Sequence, residues 1–279
     1  MKKLFDQVSE SCSKIVTESY STSFSLATKM LDRSIRQDIY NIYGFVRFAD
    51  EIVDSFHDFD KQELLTLFEK DLKKSIDEKI SLNPILNSFQ KTLHNYKIDY
   101  ELVDSFLNSM KLDLDKKKYL NKEEFDQYVY GSADVVGLMC LKVFVNGDEN
   151  QYNDLKPYAM SLGSAFQKVN FLRDLKADYD GLNRSYFPNI NIEDFNEESK
   201  QIILSEIDKD FSHSLKGIFK LPSSARFGVY TAYKYYQKLL NKLRKTHPLK
   251  IKSSRIRVPN YQKVNVLARS YVRYRLNIL

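Results

Sequence analysis

The stretch Gln167-Lys-Val-Asn-Phe-Leu-Arg-Asp-Leu-Lys-Ala-Asp178 sets the fold predicted for this chain. As a helix, it repeats polar side chains at intervals of three and four residues, which places them on one narrow face. These side chains are Gln167, Asn170, Asp174 and Asp178, with Arg173 at the edge of the stripe. Burying two carboxylates and two carboxamides together is costly, and a hard divalent cation with oxygen ligands removes that cost. The stretch therefore predicts a helix that presents a metal site.

A second acidic helix is predicted earlier, at Tyr43-Gly-Phe-Val-Arg-Phe-Ala-Asp-Glu-Ile-Val-Asp54. Asp50 and Asp54 are i,i+4 neighbours, and Arg47 stands about one turn before Asp50. If both acidic helices face one cavity, they form a mouth able to hold several Mg²⁺ ions and a polyphosphate. A pair of carboxylates could instead perform acid/base hydrolysis, or simply lie on the surface. The carboxamides beside the later pair, and the repetition of the pattern, favour metal coordination.

The composition predicts an all-α protein. Its length suits one large domain or two small ones, and because no shift in composition marks a boundary, a single domain spanning residues 1–279 is expected. Only 8 residues are Gly and 6 are Pro, so few positions interrupt helices, and the chain is long enough for a substantial core. The first helix is expected to carry Leu4, Val8 and Cys12 on one side. The charged run 111–118 is expected to be a solvated connection. Helices are predicted at 3–20, after residue 25, and at 34–57, 61–76, 83–94, 98–112, 123–145, 155–179, 192–218, 223–245 and 259–279.

The charge distribution excludes some partners and indicates others. A formal charge of +6 is mild for 279 residues and gives no reason to expect nucleic acid. The excess lies late, because residues 234–275 contain no Asp or Glu. The last helix combines an apolar face with Arg269, Arg273 and Arg275. It is therefore expected either to pack against the domain or to touch an anionic membrane peripherally.

Localisation is expected to be cytoplasmic, at most peripheral at the inner membrane surface. The N-terminal residues lack the apolar core of a signal peptide, and the most apolar run, 135–145, is too short to cross a bilayer. The two cysteines, Cys12 and Cys140, show no metal or redox spacing and fit a reduced compartment. The sequence does not specify an oligomeric state.

Aromatic and small residues point to an apolar interior. Nineteen Tyr and 18 Phe with no Trp either fill the core or line a large cavity. In Tyr128-Val-Tyr-Gly-Ser-Ala-Asp-Val-Val-Gly137, the small residues Gly131, Ala133 and Gly137 lie along one predicted helix. Because glycine within a helix costs stability, something is expected to approach closely there, either a packed helix or a substrate chain.

Five motifs resemble those of the squalene/phytoene synthase family, and the resemblance covers nearly the whole chain. Besides the two acidic helices and the stretch 128–137, they are Tyr-Ser-Thr-Ser-Phe-Ser at 20–25 and Arg-Ser-Tyr-Phe-Pro at 184–188. The resemblance implies an all-α isoprenoid synthase fold, in which helices surround a large central cavity closed by the two aspartate-rich helices. It also implies a head-to-head prenyltransferase.

The resemblance implies roles for individual residues. Many members of the family have His where this chain has Tyr20, whose phenol can still donate to phosphate. The implied metal ligands, or residues close to them, are Asp50, Asp54, Asn170, Asp174 and Asp178. The implied substrate-binding residues are Tyr20, Ser21, Ser23, Tyr43, Arg47, Gln167, Arg173, Arg184 and Tyr186. The implied catalytic residues are Arg47, Arg173, Tyr128 and Tyr236.

The implied reaction joins two allylic prenyl diphosphates with the help of Mg²⁺, or Mn²⁺ in its place. The metal and the arginines neutralise the leaving diphosphate, and the allylic cation then alkylates the second substrate to give a cyclopropylcarbinyl diphosphate. Rearrangement gives the 1-1′ linked hydrocarbon, while aromatic faces exclude water and stabilise the cations. The resemblance favours two geranylgeranyl diphosphates and phytoene. NADPH is not expected, and no Gly-rich nucleotide motif occurs among the eight glycines.

Alternatives remain at the level of the sequence. Within the family, a C30 product, squalene or dehydrosqualene, would form from two farnesyl diphosphates. Outside it, the chain could be a non-catalytic helical partner protein of the same fold, although both aspartate motifs are intact. A terpene cyclase has similar acidic motifs, but the run Gln-x-x-Asn-x-x-Arg-Asp is not its usual second motif.

Overall fold

The computed structural model describes residues 1–116, 118–182, 185–188, 190 and 193–275. This part of the chain is helical and contains no β-strand, which confirms the all-α prediction. A π-helical turn, Tyr130–Asp134, joins α7 to α8. The helices are α1 (Lys2–Tyr20), α2 (Thr22–Thr28), α3 (Arg33–Ser55), α4 (Lys61–Glu78), α5 (Pro84–Asn95), α6 (Tyr100–Asp115), α7 (Lys122–Val129), α8 (Val135–Phe144), α9 (Glu149–Leu182), α10 (Glu197–Lys220), α11 (Ser223–Lys245), α12 (Pro248–Ser253) and α13 (Asn260–Arg275).

Local capping chemistry explains where several helices begin. The side chain of Asp60 accepts a hydrogen bond from the backbone of Glu63 at the start of α4. Asn83 caps α5 in the same way, and Pro84 follows it at the first helical position. His247 caps α12, and Pro248 stands at its first helical position, where proline is favoured.

Three segments differ from the sequence prediction. The helix expected over 123–145 contains the π-helical turn, and α9 begins at Glu149 and includes Pro157. Helix α6 continues through Asp115, so the run 111–118 is not simply a solvated connection. The reason is that Asp113 is buried, where its carboxylate accepts a hydrogen bond of 2.8 Å from the Tyr128 hydroxyl.

An aromatic part of the core lies between α3, α4, α5 and α6. Phe45 of α3 is fully buried, and its ring stacks on Phe89 of α5 with centroids 4.1 Å apart. Phe68 of α4 and Phe106 of α6 pack against the same ring at 5.8 and 5.5 Å. This cluster fixes α3, which carries the first acidic motif.

Helix α1 packs mainly through small polar side chains, and of the residues predicted on its apolar side, Cys12 packs against the core. Ser9, Ser13 and Thr17 are buried, and the Ser13 and Ser88 hydroxyls lie 2.7 Å apart. The apolar residues Leu4, Val8 and Ile15 are instead more than half exposed. A close fit explains the inversion, since a Cβ atom at Gly44 of α3 would lie only 2.9 Å from the Ser13 hydroxyl.

Candidate active site

A cavity of about 410 Å³ lies between α3, α8, α9, α10 and α11. It follows α9 from Leu155 to Asp174, which is about 28 Å along the helix axis at 1.5 Å per residue. The polar side chains of α9 lie at its Asp174 end, whereas Leu155 and Leu162 lie towards the other end. The cavity is therefore polar at one end and apolar at the other.

Both predicted acidic stripes open into this cavity. From α3, the lining includes Tyr43, Asp50 and Asp54. From α9, it includes Gln167, Asn170, Arg173 and Asp174. The side chain of Asp178 and the whole of Arg184 lie outside the described residues.

Burial dominates the electrostatics of the α3 stripe. It raises the pKa of Asp50 to about 8, with the nearby Asp54 charge as the next cause, although the Arg47 guanidinium acts in the opposite direction. Asp113 of α6 also lines the cavity and raises the pKa of Asp50 further. Sequence reasoning missed Asp113 because its segment looked like a surface charge run. Oxygen donors in a site that disfavours further negative charge fit a hard divalent cation.

On α9, two arginines hold Asp174. Arg173 donates to both carboxylate oxygens, with its Nε 2.9 Å from Oδ1. Arg255, from the segment between α12 and α13, approaches with its Nε 2.8 Å from the same oxygen. Arg255 was not singled out in the sequence, where it is one of many cations in the acid-free stretch. The described residues bring no three His, Cys, Asp or Glu side chains together as a ready metal site.

A basic and hydroxyl-bearing region adjoins the cavity at α1, α2 and α3. Arg47 pairs with Glu51, and its guanidinium lies 4.4 Å from the centre of the Tyr20 ring. Burial raises the pKa of Tyr43, which lines the cavity, to about 12. Ser21 caps α2, as serines at such breaks commonly do. The neighbouring Ser23 is half-buried.

Aromatic rings form one wall of the cavity. Tyr186 stacks on Phe171 with centroids 3.9 Å apart and on Tyr128 at 5.5 Å. The hydrogen bond to Asp113 fixes the Tyr128 hydroxyl, and burial raises its pKa well above the usual value. This cluster places π faces where a cation could meet them.

Tyr236, the remaining tyrosine predicted for the site, connects α11 to α9. Tyr236 of α11 lines the cavity, and its hydroxyl donates to the Asn170 carboxamide oxygen at 3.3 Å. Its ring stacks on Phe166 with centroids 3.9 Å apart. The hydrogen bond orients Asn170 beside Asp174, one turn further along α9.

The small residues of the π-helical turn and of α8 contact different parts of the structure. Ala133 and Gly137 line the cavity. Gly131 faces α6 instead, where an added Cβ would lie 2.0 Å from the Ser109 hydroxyl and 2.8 Å from the Ser105 carbonyl. The expectation that Gly131 leaves room for a substrate chain is therefore wrong, because helix packing occupies that space.

Comparisons with known proteins agree with this geometry. The family model described as squalene/phytoene synthase matches residues 17–262. Phytoene synthase of Arthrospira platensis is 27% identical over 94% of this chain and 92% of its own length. The 4,4'-diapophytoene synthase of Staphylococcus haemolyticus is 26% identical over 71% of this chain and 67% of its own length. Chloroplastic phytoene synthase 1 of Solanum lycopersicum is 25% identical over 86% of this chain, which spans only 62% of that protein.

Solved structures share the fold. The crystal structure of a dehydrosqualene synthase with ligand matches with a TM-score of 0.84 and 22% identity, covering 97% of this chain and 98% of that one. A squalene synthase from Alicyclobacillus acidocaldarius matches with a TM-score of 0.75 and 19% identity, covering 86% and 94% of the two chains. At these identities the likeness concerns the arrangement of helices.

Proposed function

Because this chain belongs to the squalene/phytoene synthase family, whose members are prenyltransferases, we propose that it joins two allylic prenyl diphosphates head to head. One observation carries the proposal: two carboxylate-bearing helices open into one cavity that is polar at one end and apolar along the rest of its length. The polar end suits diphosphates, and the apolar end suits prenyl tails. We further propose that residues 1–279 act as a single catalytic domain.

The residues at the polar end divide into metal-binding and diphosphate-binding groups in this proposal. Mg²⁺, or Mn²⁺, would neutralise the departing diphosphate when bound. The guanidinium groups of Arg47 and Arg173 supply further positive charge to it. The metal-holding residues are Asp50, Asp54, Asn170, Asp174 and Asp178. The remaining diphosphate-binding residues are Tyr20, Ser21, Ser23, Tyr43, Gln167, Arg184 and Tyr186.

The apolar lining has two tasks in the proposed reaction. The rings of Tyr128, Phe171 and Tyr186 exclude water and offer π faces to the allylic cation. Tyr236, fixed by Asn170 and Phe166, offers a further face beside the metal-holding residues. Because burial raises the pKa of Tyr128, its hydroxyl stays neutral and acts only as a hydrogen-bonding group.

We expect Arg255→Ala to reduce kcat/KM about tenfold or more, with little loss of stability. The reason is that Arg255 contacts Asp174 at the polar end of the cavity. If a metal held that carboxylate, the Arg255 guanidinium could donate charge-assisted hydrogen bonds to the diphosphate. Its side chain is nearly half exposed, so the ion pair itself contributes little to folding. The measurement is steady-state kinetics with a thermal melt. Arg257→Ala, two residues away, is the matched control, and equal effects of the two variants would contradict this role.

We propose that the substrate is geranylgeranyl diphosphate, taken twice, and that phytoene forms without NADPH. The similarity to phytoene synthases supports the C20 substrate, while the similarity to diapophytoene and dehydrosqualene synthases supports C15 as the competitor. The test supplies purified enzyme with Mg²⁺ and equal amounts of the C15 and C20 diphosphates and identifies the hydrocarbon by mass. A C40 product without NADPH is expected. A C30 product alone would overturn the assignment, and squalene formed only with NADPH would indicate the reductive reaction.

We propose that the enzyme is cytoplasmic and contacts the membrane peripherally through α13. The reason is that its hydrocarbon product must move into lipid. No helix in the described ranges is long and apolar enough to cross a membrane. One side of α13 packs on α11, with Tyr271 and Tyr274 against Phe227. Val264 and Val272 remain more than half exposed in the acid-free basic stretch.

Flotation with vesicles tests the membrane contact. The protein is expected to float with phosphatidylglycerol vesicles at low salt and to lose most of that binding in Val264→Ser/Val272→Ser, because apolar insertion and basic charge act together. Ile202→Ser on α10 removes an equally exposed apolar side chain outside α13 and is the control. Absence of the wild-type protein from the floating fraction would exclude this contact.

A further inference from the structure

An aromatic side chain, Tyr158, lies near the apolar end of the cavity. Tyr158 of α9 lines the cavity sixteen residues before Asp174, or about 24 Å away along the helix axis. Its neighbours in the lining at this end, Phe144 and Leu155, are apolar. A tail anchored by its diphosphate at the polar end would therefore reach the Tyr158 ring with its last isoprene units.

Helix α10 holds the Tyr158 ring in a fixed position. His213, Gly217 and Lys220 follow one another at spacings of four and three residues and so share one face of α10. The His213 ring lies 4.8 Å from the Tyr158 ring, and the Lys220 ammonium lies 5.1 Å from its centre. Gly217 provides the space between them, because a Cβ atom there would lie 2.2 Å from the Tyr158 Cβ and 2.6 Å from its Cγ.

The same ring separates the cavity from the outside of the protein. The Lys220 side chain, whose ammonium lies over the Tyr158 ring, is 49% exposed. His213, on the other flank, lines a separate surface groove and is fixed by a 2.7 Å contact with the Ser161 hydroxyl. Removing the ring would thus extend the apolar end of the cavity towards solvent between α9 and α10.

We propose that Tyr158, seated on Gly217, is the stopper that sets the longest prenyl tail this enzyme binds. The proposal rests on the proposed function, since it concerns the tail of the same substrate. It makes Tyr158 a specificity-determining residue and Gly217 the residue that positions it. Gly217 matters because any side chain at this position must push the base of the Tyr158 side chain away from α10 and into the cavity.

Binding of unreactive analogues tests the stopper without relying on turnover. Thiolodiphosphates with C15, C20 and C25 tails are titrated into the wild type, Tyr158→Ala, Gly217→Ala and the double variant. Tyr158→Ala is expected to bind the tail one isoprene unit longer than the wild-type limit at least about tenfold more tightly, because that unit is now buried. Gly217→Ala is expected to lower the limit by one unit. In the double variant the added methyl still meets the Cβ of residue 158, but no ring remains to be pushed into the cavity, so the longer limit of Tyr158→Ala should return with a loss of stability.

Two control variants separate tail selection from general damage. Tyr100→Ala truncates a tyrosine of α6 that does not line the cavity, and Gly131→Ala introduces an equally severe clash at a helix contact. Both should leave the ratio of C15, C20 and C25 affinities unchanged. If Tyr158→Ala does not fold, Tyr158→Leu and Gly217→Ala still test the limit.

The outcomes distinguish this inference from the proposed function. An unchanged tail profile in both Tyr158→Ala and Gly217→Ala would overturn the stopper even if the enzyme makes phytoene. A shifted tail profile in an enzyme that forms no C40 product would support the stopper and reject the proposed substrate. A double variant that behaves like Gly217→Ala alone would also overturn the stopper, because the glycine would then act independently of the ring.

Discussion

Asp50→Asn and Asp174→Asn are each expected to lower the rate of head-to-head condensation by about two to three orders of magnitude. Each change replaces a carboxylate, which a bound cation would keep ionised despite the raised pKa of Asp50, by a neutral amide of the same shape at the polar end of the cavity. The departing diphosphate would then develop its charge beside fewer cations. Because Asn matches Asp in size, the fold should persist, and only the stabilisation of charge should be lost.

The measurement combines kinetics with metal-dependent stability. Mg²⁺ is expected to raise the melting temperature of the wild type, in the presence of an unreactive diphosphate, more than that of either variant. Asp208→Asn is the matched control, since Asp208 pairs with Arg244 on the surface of α10 and α11. Normal turnover in either cavity variant, or full activity in excess chelator, would contradict the proposed metal site.

Gly163→Ala is expected to destabilise the protein by about 1–3 kcal/mol and to reduce activity as well. An added Cβ would lie 2.8 Å from the Ala133 carbonyl oxygen and 3.0 Å from the Asp134 Cα. Both are backbone atoms of the π-helical turn, so α9 itself must move away. Gln167 follows one turn later on α9 and would move with it. The loss should therefore appear in both the free energy of unfolding and kcat/KM.

Denaturant unfolding and kinetics on the same sample check this expectation. Gly137→Ala provides a graded comparison, because its Cβ would meet the Ala159 carbonyl at 3.2 Å, a distance that a small shift can relieve. A smaller loss is expected there. Equal stability of Gly163→Ala and the wild type would show that α9 and the π-helical turn are not packed as closely as described.

The sequence predicts the helices and the two polar stripes well because both depend on local spacing. Helical periodicity alone places Gln167, Asn170 and Asp174 on one face, wherever that face points. The capped starts of α4 and α5 are likewise local. Only the convergence of α3 and α9 on one cavity needs information from outside each helix, and the resemblance to the family supplied it.

Other features depend on contacts between distant segments. In the sequence, Asp113 looks like part of a surface charge run, but in the structure it accepts a hydrogen bond from Tyr128. Arg255 is one cation among many in the sequence, but in the structure it contacts Asp174. The inverted packing of α1 has the same origin, because Ser13 is buried only where Gly44 allows a close approach. Pattern reasoning assigns apolar residues to the interior and has no way to weigh such a fit.

The π-helical turn at Tyr130–Asp134 gives this segment an unusual evolutionary constraint. A π-helical turn holds one residue more than the α-helical path it replaces. Deleting one residue inside the turn would restore regular bonding and leave α8 on its present path, whereas deleting Val135 or Val136 from α8 would rotate the residues that follow by about 100°. Gly137 and Cys140 would then turn away from the cavity, although neither residue had been altered. A substitution changes one side chain, whereas a deletion outside the turn changes the direction of every residue after it in the helix, so a change of length is tolerated within the turn and not in α8.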